Sequence, residues 1–202
     1  MKDTYQTIET PTIGEYKAKG SKFIAYAFSV QNKQTIKDRL EEVRKEHNKA
    51  RHHCYGYRLG LGKDEYRAND DGEPSGTAGR PILGQIDSFG LSHVLIVVVR
   101  YFGGTKLGTS GLKTAYKAAA MEALQDAAII EKIVKEEFLL TYSYAATVDV
   151  MNYVNGIEID IKNTEYTNDK SMMTVAVRLK EIENFTTTIA AITDVKCDLH
   201  TS

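Results

Sequence analysis

Cysteine is scarce in this chain: two in 202 residues, Cys54 and Cys197, far apart in sequence. That argues against a disulfide scaffold and for a reducing compartment. Long apolar runs are missing too. The longest aliphatic stretch, Val94–Val99, falls far short of the roughly 20 residues that span a bilayer, so it reads as a buried strand and no membrane partner is expected. No apolar run follows Met1-Lys2-Asp3-Thr4-Tyr5, so no secretory leader is expected, and the expected location is the cytoplasm. Charge of one sign is absent as well. A formal net charge of −1 speaks against a nucleic-acid footprint covering the whole protein, which would be basic, but is compatible with a local basic patch. Neither a solenoid repeat nor a low-complexity segment is present.

What is there suits a globular fold. Hydrophobic residues make up 42% and charged residues 26%, close to globular averages. Residues Glu15 to Val30 read as extended, with Gly20 as a turn. A helix is expected from Asn32 to His47, with Ile36, Leu40 and Val43 on one face. Strand signals return at His52–Leu61. The Asp-, Gly- and Pro-rich stretch Lys63–Pro81 begins as a turn or loop, and Pro81 either sits early in a short helix or closes the loop. His93–Phe102 is the central strand. A glycine-rich connection follows, then a helix from Thr109 to Ala128 with Leu112, Ala115, Tyr116, Ala119, Ala123 and Leu124 inward.

The charged, glycine-free stretch Glu131–Glu137 is read as a domain boundary, separating residues 1–132 from 137–202. Beyond it the pattern is βαββαβ. Phe138–Tyr144 is a strand and Ala146–Val154 a helix ending near Gly156. Ile157, Ile159 and Ile161 alternate in one strand, and Met173, Val175, Val177 and Leu179 in another. A helix carries Ile182, Phe185, Ile189 and Ile192, and Val195, Cys197 and Leu199 close the series. The fold class is therefore α+β, with a ferredoxin-like second domain.

Three segments hold residues capable of chemistry. The first is Arg100-Tyr101-Phe102-Gly103-Gly104-Thr105-Lys106-Leu107-Gly108-Thr109-Ser110-Gly111. Glycines let the backbone approach a ligand, and a helix start offers free N–H groups to an anion. Lys106 and Lys113 add charge, and Thr109 or Ser110 is placed to cap the helix or hold a phosphate oxygen. Thr109 stands where a Walker A loop requires lysine, so this is not that motif. A plain strand-to-helix turn is the alternative.

The second segment is Asn69-Asp70-Asp71-Gly72-Glu73-Pro74-Ser75-Gly76-Thr77-Ala78-Gly79-Arg80-Pro81. Its three carboxylates suit a divalent cation or a basic partner, but calcium-loop spacing is absent and no metal is expected. Ser75 and Thr77 are placed to cap a helix. The third is Arg51-His52-His53-Cys54-Tyr55-Gly56-Tyr57-Arg58. On a strand, His52 and Cys54 share one face and His53 the other. No CxxC or HExxH accompanies them, so zinc is not expected. Cys54 reads as packed, and Arg51, His53 and Arg58 as exposed contact residues.

Taken together, His52–Tyr57, Asp71–Pro81 and Val97–Gly108 resemble the IMPACT family in order and spacing, with no departure in the three segments. The likeness covers about residues 15–128, and the remainder resembles the small domain that follows in bacterial members. It implies a first domain with the fold of ribosomal protein S-five domain two, elongation factor G domain four and the galactokinase-type kinases. It implies a second domain like elongation factor G domain five. Eukaryotic relatives regulate translation under amino-acid starvation, by binding the activator of the general-control kinase.

The expected function is therefore a non-enzymatic, translation-associated protein binding RNA, the ribosome or a translation factor, without a cofactor. Arg51, Arg58, Arg80, Arg100, Lys106 and Lys113 would contact phosphates. Tyr55, Tyr57 and Tyr101 would stack on bases if exposed, and His53, Asp71, Glu73, Ser75, Gly103 and Gly104 complete the expected surface. The alternatives are an enzyme whose glycine loop holds a phosphate while Asp70, Asp71 or Glu73 holds magnesium, and a protein–protein adaptor without a ligand.

Overall fold

The structure is a computed structural model that describes residues 3–62 and 65–200. Its elements, in chain order, are β1 (Thr4–Ile8), β2 (Thr12–Ala18), β3 (Ser21–Ser29), α1 (Lys33–Glu46), β4 (His52–Leu59), β5 (Glu65–Asn69), α2 (Gly79–Ser88), β6 (Val94–Tyr101), α3 (Gly108–Gln125), β7 (Ile129–Ile133), β8 (Lys135–Ser143), α4 (Thr147–Gly156), β9 (Asp160–Tyr166), β10 (Lys170–Arg178), α5 (Ile182–Ala190) and β11 (Val195–Leu199). Contacts divide the chain into two units, residues 5–132 and residues 133–200, with residues 3 and 4 belonging to the second.

In the first unit a five-stranded sheet runs β2-β3-β6-β4-β5, antiparallel throughout. The aliphatic run lies at its centre because both faces are covered. Val94, Ile96 and Val98 pack with residues of α2 and α3. Leu95, Val97 and Val99 pack on the other face with Ile36, Leu40 and Val43 of α1. Helix α1 starts where expected, because Asn32 Oδ1 accepts the Thr35 amide at 2.9 Å, an N-cap bond. The alanines of α3 let it approach the sheet closely: a Cβ on Gly14 of β2 would lie 2.3 Å from the Ala123 amide nitrogen. Strands β1 and β7 form a separate two-stranded sheet.

The second unit has the order β8-α4-β9-β10-α5-β11, with the sheet arranged β11-β8-β10-β9, which is the ferredoxin-like pattern. Phe138, Leu140 and Tyr142 of β8 and Met173, Val175 and Val177 of β10 present one buried face. Val150 and Val154 of α4 and Phe185 and Ile189 of α5 cover it. Asp3 belongs here through its hydrogen bonds and ion pair with Arg178.

The structure departs from the sequence reading in three places. The Lys63–Pro81 stretch contains strand β5, which pairs with β4, and Pro81 sits in the first turn of α2, where its missing N–H costs nothing. The first two residues of that stretch lie outside the described residues, as does the Met1-Lys2 start. The contact units divide within the charged stretch Glu131–Glu137, where β7 ends and β8 begins. Strand β1 carried no recognisable signal. Ile157 and Ile159 precede β9 and pack against the core from a loop. Among the described residues no helix is long and apolar enough to cross a membrane.

Candidate functional site

Arg100 is the next-to-last residue of β6, and its direct cross-strand neighbours are Phe23 and His52. Strand alternation places it with Val98 and Ile96, on the face covered by α2 and α3. It is 7% exposed. Its Nη1 donates to Glu73 Oε1 at 2.6 Å, and the Tyr116 hydroxyl donates to the same oxygen at 2.8 Å. Its guanidinium carbon lies 5.5 Å from the centres of the Phe23 and Phe102 rings. Its Nε is buried with no acceptor among the described residues.

Beneath this pair, the Cys54 thiol donates to the Asp70 carbonyl at 2.9 Å. Burial pushes that thiol far up, so Cys54 is an inert packed group and not a nucleophile. Burial likewise raises the Tyr116 hydroxyl, with Cys54 and Glu73 adding to the effect, so it remains a donor.

The three carboxylates of the acidic segment do different structural jobs. Asp70 accepts the amides of Gly76 at 2.8 Å and of Ala78 and Gly79 at 2.9 Å. It thereby caps α2 from outside the helix, the role expected of Ser75 or Thr77. Ser75 is exposed, and the Thr77 hydroxyl donates to the Pro74 carbonyl instead. Burial alone would raise the Asp70 carboxyl, but the three amides, with Arg80 nearby, hold it below its ordinary value. Asp71 accepts the His53 amide at 2.7 Å, and its carbonyl accepts from His52 Nδ1 at 2.8 Å. Glu73 is committed to Arg100 and Tyr116. The carboxylates therefore do not converge as a magnesium site requires, and among the described residues no three His, Cys, Asp or Glu side chains could hold a metal.

The glycine-rich segment has two kinds of glycine. Gly103 rests on the β2–β3 turn, where an added Cβ would lie 1.8 Å from the Gly20 carbonyl carbon. Gly104 and Gly108 have open space but φ of 88° and 72°, a conformation that favours glycine. Helix α3 then starts at Gly108 without a side-chain cap. Thr109 lies in its first turn rather than capping it. Among the described residues no side chain caps the start of this 18-residue helix, which makes that end attractive to an anion.

These elements border a groove of about 850 Å³. Lys49, Arg51 and His52 come from the segment entering β4, Glu73 and Pro74 from the acidic loop, and Arg100, Tyr101 and Phe102 from the end of β6. Lys106–Thr109 and Leu112 close it. Lys49, Arg51, Arg100 and Lys106 face one carboxylate, Glu73, a surplus of three positive charges. Lys49, Arg51 and Lys106 are exposed and form no ion pair among the described residues.

Of the expected surface residues, Arg51, Glu73, Arg100, Tyr101 and Lys106 come together. Gly103 and Gly104 shape the adjoining turn. Ser75, Arg80 and Lys113 are exposed but lie outside the groove lining, as does the half-buried Asp71.

His53 and Arg58, expected to be exposed, are 7% and 8% exposed. His53 Nε2 donates to the His47 carbonyl at 3.2 Å, and Arg58 pairs with Asp87 at 2.6 Å. Both lie on strand faces that helices or loops cover. Tyr55 and Tyr57 are buried against the α1 side and offer no stacking surface. Tyr101 is half-buried, its hydroxyl 2.9 Å from His47 Nδ1. The sequence reading missed Lys49, Phe102, Leu107 and Leu112 as groove residues. It also missed the anchoring role of Tyr116, whose signal was only a place on the inner face of α3. His52 was detectable as the strand neighbour of Cys54.

Fold and groove together define a two-unit α+β protein with a basic surface site on its first unit. The family model of the Impact N-terminal domain matches residues 19–124, and the chain belongs to the IMPACT family. It is similar to the IMPACT family member YvyE of Bacillus subtilis, with 30% identity over 199 residues, 98% of this chain and 91% of the relative. It is also similar to the IMPACT family member YigZ of Escherichia coli, with 35% identity over 150 residues, 73% of this chain and 74% of that one. A solved structure described as a hypothetical protein matches all of this chain and 99% of its own, at a TM-score of 0.74 and 28% identity.

Proposed function

We propose that this protein is a non-enzymatic, cytoplasmic binding module of the translation apparatus, and that its groove holds the phosphate backbone of RNA. The observation that carries this reading is the surplus of three positive charges in a groove of about 850 Å³ on a chain of net charge −1. Arg100 is fixed by Glu73 at the groove wall, while Lys49, Arg51 and Lys106 reach into solvent. Fixed and mobile cations of this kind contact phosphates, which set affinity rather than sequence choice. Family membership supports the link to translation, through the regulatory role that the resemblance implies for eukaryotic relatives.

The site's reactive groups favour binding over catalysis. Cys54 is buried and protonated, Glu73 is ion-paired, and His52 Nδ1 is engaged by the Asp71 carbonyl. The test is binding of a single-stranded RNA oligomer by fluorescence anisotropy across a salt series. Log affinity is expected to fall with log salt at a slope of roughly −2, from three contacts at about −0.7 each. Binding that ignores salt, or no binding at low salt, overturns the RNA reading and leaves the adaptor.

A further inference from the structure

The groove is not uniformly polar. Its lining brings Lys106 and the start of α3 together with Arg100 and Phe102. Phe102 is 55% exposed and lies with its ring against the Arg100 guanidinium. A large exposed aromatic ring beside unpaired cations is a stacking platform next to an anion seat, the pairing that single-stranded nucleic acid sites use. Leu107, Leu112 and Pro74 add apolar wall. The volume lies within the range of small-molecule pockets, about 300–1,000 Å³. It exceeds what a lone phosphate would need.

The geometry points to a phosphate-bearing nucleotide as the unit this groove recognises, its phosphate at the start of α3 beside Lys106 and its base laid on Phe102. This rests on the RNA reading for one of its two sources, since the same unit occurs at the end of an RNA chain and as a free nucleotide. Arg51 and Lys49, which also line the groove, would neutralise the next phosphate where the nucleotide is the end of an RNA chain.

The experiment uses the full chain and isothermal titration with adenosine monophosphate, adenosine and inorganic phosphate, alongside anisotropy with an RNA hexamer carrying or lacking a 5′-phosphate. The monophosphate is expected to bind at least tenfold more tightly than adenosine or phosphate. Phe102→Ala, at an exposed position, is expected to weaken the monophosphate about tenfold or more, the range of one stacked base. It should leave phosphate binding unchanged, and Phe102→Tyr should restore the affinity. Lys106→Ala should weaken both ligands.

Preference for the 5′-phosphorylated hexamer over both its unphosphorylated twin and the monophosphate identifies a chain end. Equal binding of monophosphate and phosphorylated hexamer identifies the free nucleotide. Monophosphate binding no tighter than phosphate, together with an indifferent Phe102→Ala, overturns the inference. Salt-dependent RNA binding that survives that result keeps the proposed function, while monophosphate binding without RNA binding removes the proposed function and keeps the nucleotide site.

Discussion

Arg100 and Glu73 stand 27 positions apart in sequence and 2.6 Å apart in the fold, with side chains only 8% and 4% exposed. The pair joins the end of the central strand to the acidic loop, and Tyr116 ties both to α3 through the same Glu73 oxygen. Removing one member strands the other as a buried charge. Glu73→Ala is therefore expected to cost about 3–5 kcal/mol. Tyr116→Phe, which deletes one hydrogen bond to a charged acceptor, should cost about 1.5–3 kcal/mol. Urea unfolding monitored by circular dichroism measures both, and a Glu73→Ala midpoint equal to that of the parent protein would show that the pair does not hold the loop.

The groove cations predict a specific pattern in the salt dependence of RNA binding. Each of Lys49→Ala, Arg51→Ala and Lys106→Ala should lower the slope by about 0.7 without changing stability, because all three are exposed. Arg80→Ala and Lys113→Ala, equally basic and equally exposed, should leave the slope alone because neither lines the groove. Equal effects from all five would mean a diffuse charge field and no groove.

Two glycines of the same segment should fail for different reasons. Gly103→Ala drives a Cβ to within 1.8 Å of the Gly20 carbonyl carbon. That is backbone against backbone, so an overpacking cost of about 1–3 kcal/mol is expected. Gly104→Ala meets open space but keeps φ at 88°, where an L-residue costs about 1–2 kcal/mol. Thermal melts should show both losses. Adding Gly20→Ala should worsen the first variant far more than the second, since only Gly103 touches that turn.

Stability should also fall as the solution is acidified below neutral pH. Burial lowers the pKa of His53 and of His93, outweighing their backbone hydrogen bonds to His47 and Val30. His93 is held as the neutral tautomer, its Nε2 accepting the Gly60 amide and its Nδ1 donating to the Val30 carbonyl. Because the folded values lie below the unfolded value of about 6.5, the unfolded chain takes up protons first. The stabilisation is complete above about pH 6.5 and is lost as pH falls through that value toward the folded ones. Urea midpoints at pH 7.5 and 5.5 should differ, and His93→Gln should flatten the difference.

Much of the architecture was legible because it rests on local patterns. The α1 face, the inner face of α3, and the alternation in β8 and β10 follow from side-chain periodicity alone. Elements whose pairing is remote were not legible. Strand β5 is mostly exposed and exists because β4 offers it an edge, while β1 and β7 are held by each other. Residues of all three motifs line one groove. Within them, the residue types did not reveal which side chains were free.

The sequence by itself determined the α+β order of elements, the buried central strand, the start of α1 at Asn32 and the family signature. The first three depend on neighbours a few positions away, and the signature on the order and spacing of three short motifs. Only the tertiary structure decided that Arg100 is a buried anchor while Arg51 is a free cation, that His53 is buried rather than exposed, and that Asp70 caps α2 in place of Ser75 or Thr77. Those outcomes depend on strand register and on where a loop returns, and burial then decides whether a charge is paired or free, which no local pattern encodes.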